Sequence, residues 1–454
     1  MNGKFERDTY PGRPKILFVG SPFSTHAHSW IDLLSETDFN VRLFSAGDGI
    51  PPKGWKVRTY ITARDLPEGL DPSSRLCLFP TPEEYWRGGK RGTNALRQGR
   101  LVWKTLLRVL RSNYLEGCRG EKKRAGLVGL VENLSALRKK ATSPEAWLEQ
   151  VVKQWKPDII HTLGLDPASF FYFDARRKFH FEGIGKWVLQ LRGGSDLTLS
   201  HRDPEAVAMI APILRSCDQL ISDNRMNFQY VFDIGVREEQ ISSISPVPGA
   251  GGLDVEGLRT RWKGPPSRRE RIIVWPRSYE CPWSKALPVL EALKLAWERI
   301  KPCTIYMLTV NRETKMWFLA LPEEIRKNCL LHSGIPREDV LSLMARSRVM
   351  LAPSLVDGVP NSLYEAMGCG CFPILSPLET ITPIVENGKN VLFARNLYPE
   401  EIADSLIRAM TDDRLVDDAA TLNVELVTKL ANRHEIERRV VDYYEELARR
   451  TRHS

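Results

Sequence analysis

The apolar positions of residues 1–254 fall into short runs separated by loops and amphipathic stretches. KILFVG (15–20) is an apolar run closed by Gly20. The loop SPFSTHAH and the amphipathic stretch SWIDLLSE follow, which predicts strand, loop and helix. FNVRLFSA predicts a second strand, PDIIHTLG (157–164) a buried one, and KWVLQLRGGSD (186–196) another that ends in a glycine pair. DQLISDN (218–224) is followed by a helix-like stretch to Ile234, and QISSISPVPGAGGLD (240–254), rich in Ser, Pro and Gly, reads as a strand running into a linker. Strands that alternate with helical segments imply parallel βαβ units.

The alternation restarts after residue 255. A polar, basic segment, TRWKGPPSRRER, introduces the strand RIIVWPRS (271–278), then the helix KALPVLEALKLAWERI and the strand CTIYMLTV (303–310). The short segment CLLHSGI, the helix EDVLSLMARS and the strand VMLAPS (349–354) come next, and FPILS (372–376) with NVLFA (390–394) completes a second doubly wound sheet. From about Asn423 to Arg450 the pattern is that of one or two long charged amphipathic helices. The chain therefore reads as α/β, with two Rossmann-like doubly wound parallel-sheet domains, 1–254 and 255–425, facing a central cleft, and with 426–454 crossing back to the first domain.

Length agrees with that division, because 454 residues exceed what one hydrophobic core usually organises. Apolar residues make up 42% and charged ones 27%, and no stretch approaches the ~20 consecutive apolar residues of a bilayer span. MNGKFERDTYPGRPK has no apolar core of a secretory signal, so the expected compartment is the cytoplasm. The eight cysteines show neither C-x-x-C pairs nor zinc spacing and read as buried free thiols. No D-x-D motif with a metal role appears, and no metal site is expected.

The net charge of +9 is concentrated between Arg87 and Lys140, inside a basic helical insertion expected at about 84–150. In its stretch LVWKTLLRVLR, Trp103, Leu106, Leu107 and Leu110 share one helical face while Lys104, Arg108 and Arg111 lie towards another. Such a helix can lie on anionic lipid, at the inner face of the cytoplasmic membrane and near a lipid-linked acceptor. A solvated helix on the domain rim is the competing reading.

Chemistry concentrates in PSLVDGVPNSLYEAMGCGCFPILS, where a strand opens into Asp357-Gly358-Val359-Pro360-Asn361, a helix begins at Ser362-Leu363, and Gly368 with Gly370 stops it. Ligands of open parallel sheets bind at the carboxyl ends of strands, and the first N–H groups of a helix lack internal partners. A diphosphate against the Asn361, Ser362 and Leu363 amides would gain those hydrogen bonds and the positive end of the helix dipole. Gly358 allows close backbone approach, and Pro360 fixes the turn without needing a donor. Asp357 and Glu365 straddle this anion site and can accept hydrogen bonds from sugar or ribose hydroxyls. Arg277, at the end of the second domain's first strand, and Lys285, at the start of the next helix, are the cations placed opposite the diphosphate. In the first domain, Gly20 and Ser21 end a strand, and His26 and His28 sit just beyond. His161, inside an apolar strand, reads as a satisfied core histidine.

These residues resemble the retaining GT-B glycosyltransferases of family 4 (glycosyl transferases group 1), whose signature is an acidic residue, seven others, then Glu. The resemblance is strong over 270–395 and weaker but collinear over 15–255 and the C-terminal helix. It implies that Asp357 holds the donor sugar's hydroxyls, Glu365 the ribose, and Arg277 with Lys285 the diphosphate. Ser333, Gly334 and Ile335, in HSGIP, correspond to the base-contacting loop, and Gly20-Ser21 to a cleft loop lining the donor phosphate or the acceptor. His26, His28, Arg192 and Asp196 are candidates for the acceptor side. The implied donor is a nucleoside-diphosphate sugar, UDP favoured by family frequency, with no further cofactor. The implied acceptor is a saccharide or lipid-linked hydroxyl, in surface polysaccharide or glycoconjugate synthesis, and no nucleic-acid partner is expected. Two departures stand out: the first acid is Asp rather than the more usual Glu, and Leu191-Arg192-Gly193-Gly194-Ser195-Asp196 stands where many relatives have His-Gly. A phosphorylase or sugar-nucleotide epimerase would share the donor cleft, whereas a non-catalytic polyanion binder leaves the acidic loop unexplained.

Overall fold

The computed structural model of the chain describes residues 5, 9–47, 49, 51–52, 54–62, 76–78, 143–192 and 194–453. The first parallel sheet contains β1 (Lys15–Gly20), β2 (Asn40–Ser45), β3 (Arg58–Ile61), β4 (Leu76–Leu78), β5 (Ile159–Leu163), β6 (Lys186–Gln190) and β7 (Gln219–Ile221), in the order β4-β3-β2-β1-β5-β6-β7. Its helices are α1 (Thr25–Ile31), α2 (Pro144–Trp155), α3 (Phe170–Lys178), α4 (Pro204–Ser216) and α5 (Met226–Asp233). The second sheet, in the order β10-β9-β8-β11-β12-β13, contains β8 (Glu270–Trp275), β9 (Thr304–Leu308), β10 (Cys329–His332), β11 (Ser347–Ala352), β12 (Phe372–Leu375) and β13 (Leu392–Phe393). With it come α6 (Val255–Arg259), α7 (Ala286–Ile300), α8 (Arg312–Leu319), α9 (Glu323–Lys327), α10 (Arg337–Arg346), α11 (Asn361–Gly368), α12 (Pro399–Thr411) and α13 (Asp413–Ala431), and α14 (Arg433–His453) ends the described chain.

Both sheets reverse their strand order at one point, beside β1 in the first and beside β8 in the second. The crevice beyond the carboxyl ends of the strands opens at such a point. The loops after β1 and β5 therefore face the cleft from one side, and those after β8 and β11 from the other. β11 is buried at every position, as a central strand with helices on both faces must be.

Three boundaries differ from those the sequence predicts. Residues 240–254 form no strand. Only two isolated bridges form, Ile241 to Leu220 and Leu253 to Asn432, because Pro246 and Pro248 cannot donate to a ladder and the chain turns through Gly251 and Gly252 at positive φ. A side chain at Gly252 would meet the Ala431 carbonyl at 2.5 Å, so the linker packs against the second crossing of the chain. Of the insertion expected at 84–150, residues 143–150 are described, and Trp147 and Leu148 of α2 are wholly buried in the first core. The basic stretch 87–140, where a membrane-facing helix is expected, lies outside the described residues. The crossing back falls at Asn432 rather than 426, because Val427 and Ala431 are still buried in the second domain.

Beyond Asn432, α14 packs Ile436, Val440, Tyr443, Tyr444 and Leu447 into the core of the first sheet beside Ile16, Phe18 and Val188. The Tyr444 hydroxyl accepts from Trp30 Nε1 at 3.0 Å and meets His161 Nδ1 at 2.5 Å, all three side chains being buried. Burial, then the nearby Arg192 charge, pushes the His161 pKa well below its ordinary value, so the imidazole is neutral. Nδ1 has the partner expected of a core histidine, while Nε2 has none. Tyr444→Phe leaves an indole N–H and an imidazole nitrogen unpaired. It should lower stability by about 2–3 kcal/mol, read as an earlier urea midpoint; an unchanged midpoint would contradict this role.

Among the described residues all cysteines are free, and only Cys281 is not buried. Also among these residues, no helix is long and apolar enough to cross a membrane, and no cluster of His, Cys, Asp and Glu is arranged to hold a metal ion.

Candidate active site

The site is built at the start of α11. After β11 the chain is anchored twice: Ser354 N donates to Ser376 Oγ at 3.0 Å, and Leu355 N to the Trp283 carbonyl at 2.8 Å. The turn then brings Asp357 to Pro360, which precedes α11 in extended conformation and offers no side-chain cap. An uncapped N-terminus keeps its first amides available. Leu363 N, however, donates to the Pro360 carbonyl at 2.9 Å, so only the Asn361 and Ser362 amides remain of the three expected. Ser362 Oγ is buried and has no hydrogen-bond partner, which makes it a second unsatisfied group at the same helix end.

Asp357, itself buried, forms an ion pair and hydrogen bond with Arg277 Nη1 across the gap between β11 and β8. Asp357 is the chief cause holding the Arg277 pKa above its usual value. The backbone of this turn is held from below, where Thr380 Oγ1 donates to the carbonyls of Asp357 (2.9 Å) and Gly358 (3.1 Å). One turn into α11, Glu365 Oε1 accepts from Arg337 Nε at 2.8 Å. Burial raises the Glu365 pKa, and the Arg337 and Arg277 charges oppose that rise. Arg277, Tyr279, Trp283, Ser284, Pro353, Asp357, Pro360 and Ser362 line a narrow pocket between the β8 and β11 loops.

The first domain closes over this helix end. Ser24 caps α1, and His26 in its first turn meets Asn361: Nδ2 of the amide donates to His26 Nδ1 at 3.0 Å. More than a third of His26 stays open to solvent, yet it sits in the cleft among three guanidinium groups. Burial, then Arg192, Arg277 and Arg337, lowers its pKa to about 4. Four elements from two domains thus aim positive charge or free N–H groups at one small volume, which favours an anion there.

The remaining sequence candidates divide. At Gly20 a Cβ would approach Leu163 Cβ to 3.1 Å, a tight contact, and Ser21 Oγ beside it is buried without a partner. Arg192 donates from Nε and Nη2 to Gln190 Oε1 at 3.1 and 2.8 Å, and its backbone N–H donates to Asp196 Oδ2 at 2.6 Å. Burial lowers the Arg192 pKa to about 10 and lifts that of Asp196 to about 7. Val359 is buried behind the turn, Ser333 and Gly334 are exposed after β10, and Ile335 packs on the core under α11. Two candidates stand apart from the pocket. His28 does not face the cleft: its ring is buried against Trp55 (centroids 4.6 Å apart) and bonded to the Pro22 carbonyl at 2.6 Å. Lys285 pairs with Glu280 at 3.0 Å, and Arg337 is the cation beside Glu365. Sequence reading missed Arg337. A basic residue that opens a helix whose first turn is otherwise acidic (Glu338, Asp339) runs against the helix dipole and was the available signal.

The Anabaena HepE crystal structure with UDP and glucose superposes with a TM-score of 0.61 at 14% identity, over 96% of this chain and all of that one. The fold is GT-B. Other GT-B structures agree. The sucrose-phosphate synthase of Thermosynechococcus elongatus matches with a TM-score of 0.60 at 15% identity, over 95% of this chain and 99% of that one. A lipopolysaccharide outer core galactosyltransferase in its apo form gives 0.53 at 12% identity, over 95% and 97%. Within this GT-B chain, residues 288–422 match the family model described as glycosyl transferases group 1. No curated protein matches the sequence.

Proposed function

We propose that the chain is a glycosyltransferase that moves a sugar from a nucleoside-diphosphate sugar, UDP-linked in the favoured case, to an acceptor hydroxyl with retention of anomeric configuration. One observation carries the reading. The uncapped N-terminus of α11, with Ser362 Oγ unsatisfied, lies between two carboxylates, Asp357 and Glu365, each held by an arginine. An anion flanked by hydroxyl-bearing groups fits that arrangement. Support comes from the family match over 288–422 and from the HepE structures with UDP and with UDP-glucose.

In this reading the Asn361 and Ser362 amides and the free N–H groups of Arg277 hold the diphosphate. Asp357 accepts from the sugar's hydroxyls, and Glu365, oriented by Arg337, accepts from the ribose. As the anomeric C–O bond to the phosphate breaks, its electron pair stays on the diphosphate, where Arg277 and the helix end stabilise it. The acceptor oxygen enters from the same face and bonds the anomeric carbon, and its proton passes to the departing phosphate oxygen. Catalysis then rests on positioning and charge stabilisation. The first domain, with His26 and Arg192 at its rim, takes the acceptor, a saccharide or lipid-linked hydroxyl; the second takes the donor. Proton NMR of the product from a donor of known anomeric configuration checks the stereochemistry. The same configuration is expected, and an inverted product would overturn the mechanism.

A further inference from the structure

Glu379 lies four residues past β12, on the second domain, yet its carboxylate meets the first domain twice. The Tyr230 hydroxyl of α5 donates to Oε1 at 2.5 Å, and Arg202 Nη2 lies 3.8 Å from the same oxygen. Burial and the Glu379 charge raise the Tyr230 pKa, which keeps that hydroxyl protonated and donating. The other face of the Tyr230 ring is also held: His201 stacks on it with centroids 3.7 Å apart and planes 11° from parallel. His201 in turn is fixed by the Thr198 carbonyl at 2.8 Å and by Arg202 Nε, which donates to Nε2 at 3.2 Å.

The next residue faces the other way. Thr380 is buried, and its hydroxyl is the one bonded to the Asp357 and Gly358 carbonyls. Two adjacent residues therefore connect an interdomain contact to the backbone that sets the Asp357 carboxylate. Glu379 keeps 40% of its side chain in solvent, so a packing role alone does not account for it. Among the described residues, the groups it holds are on the opposite domain.

We propose that Glu379 is a positioning residue: with Tyr230 and Arg202 it clasps the cleft shut, and through Thr380 it sets the Asp357 turn for the donor sugar. The kinetic consequence rests on the glycosyltransferase reading; the structural consequence does not. A closed cleft and a correctly set Asp357 matter most in the transition state, so loss of the clasp should appear in kcat more than in nucleotide binding.

The test compares Tyr230→Phe, Glu379→Ala and Glu379→Gln in the full chain. Amide hydrogen exchange on the unliganded proteins reads the clasp directly. Residues 355–360 should exchange several-fold faster in Tyr230→Phe and Glu379→Ala, with β11 unchanged, and less so in Glu379→Gln, which keeps an acceptor for the tyrosine. With UDP-glucose as donor probe, kcat should fall about tenfold in the first two variants while the Kd for UDP stays within about twofold. Wild-type exchange at 355–360 in both Tyr230→Phe and Glu379→Ala would overturn the proposal, as would a rise in Kd that accounts for the whole kinetic loss. Failure of wild type to bind any nucleoside diphosphate would instead sink the donor reading, and the exchange experiment would still decide the clasp.

Discussion

Replacing Glu365 by Gln should weaken UDP binding roughly 10- to 100-fold while leaving the unliganded protein at least as stable as wild type. The two halves of this expectation have one cause. Glu365 is held in a largely buried position where burial raises its pKa above the ordinary value of 4.5. A carboxyl whose folded pKa is raised binds its proton more tightly in the folded state. The destabilisation is therefore fully present above the folded pKa and is relieved as pH falls through it towards 4.5. Glutamine keeps the shape and removes the charge, so that penalty should vanish, together with its share of the pH dependence. Arg337, left without its partner, is 41% exposed and can be taken up by water. What is lost, on the proposed function, is the anionic acceptor for ribose hydroxyls. A residue whose removal stabilises the fold but damages binding has been kept for the ligand. Thermal unfolding at pH 5 and 7, with and without UDP, checks both halves. A less stable variant with undiminished UDP affinity would assign Glu365 to structure.

Arg277→Met should lower kcat/KM by about 10³-fold, because on the proposed mechanism it removes a cation that stabilises the departing diphosphate. Stability should change much less, by about 2 kcal/mol, since Arg277 keeps a third of its side chain in solvent while Asp357 is left largely buried without its partner. Arg277→Lys restores the charge without the planar fork that can hold Asp357 and phosphate together, and should recover only part of the loss. Steady-state release of UDP from a UDP-sugar measures all three proteins. Wild-type turnover in Arg277→Met would show that the arginine serves only to fix Asp357.

What the sequence disclosed and what it hid follow from how far along the chain each arrangement extends. The parallel sheets were legible because each strand is a contiguous apolar run, and Asp357, Glu365 and the start of α11 because strand, turn and helix are neighbours in sequence. β3 and β4 were not assigned, since RTYI and LCL are too short to carry a period. The contacts that complete the site join residues far apart: Arg337 to Glu365 over 28 positions, Tyr230 to Glu379 over 149 and Asn361 to His26 over 335. No local pattern encodes such pairs. Lys285 shows the converse, a local pattern with a partner close in sequence. Its charge and place at a helix start suggested a phosphate ligand, but Glu280, five residues earlier, already holds it. His26 and His28 were indistinguishable in sequence, and only the fold shows that the His28 ring, two residues further along the short helix, packs on Trp55.

An anion site at the start of α11 that takes a nucleoside diphosphate is tested most directly by a calorimetric titration of wild-type protein with UDP, run beside a thermal-shift series. The account predicts one saturable site per chain and, at UDP concentrations near one hundred times Kd, stabilisation of about 2.7 kcal/mol. Absence of heat and of any thermal shift with UDP, and likewise with GDP and ADP, would contradict it.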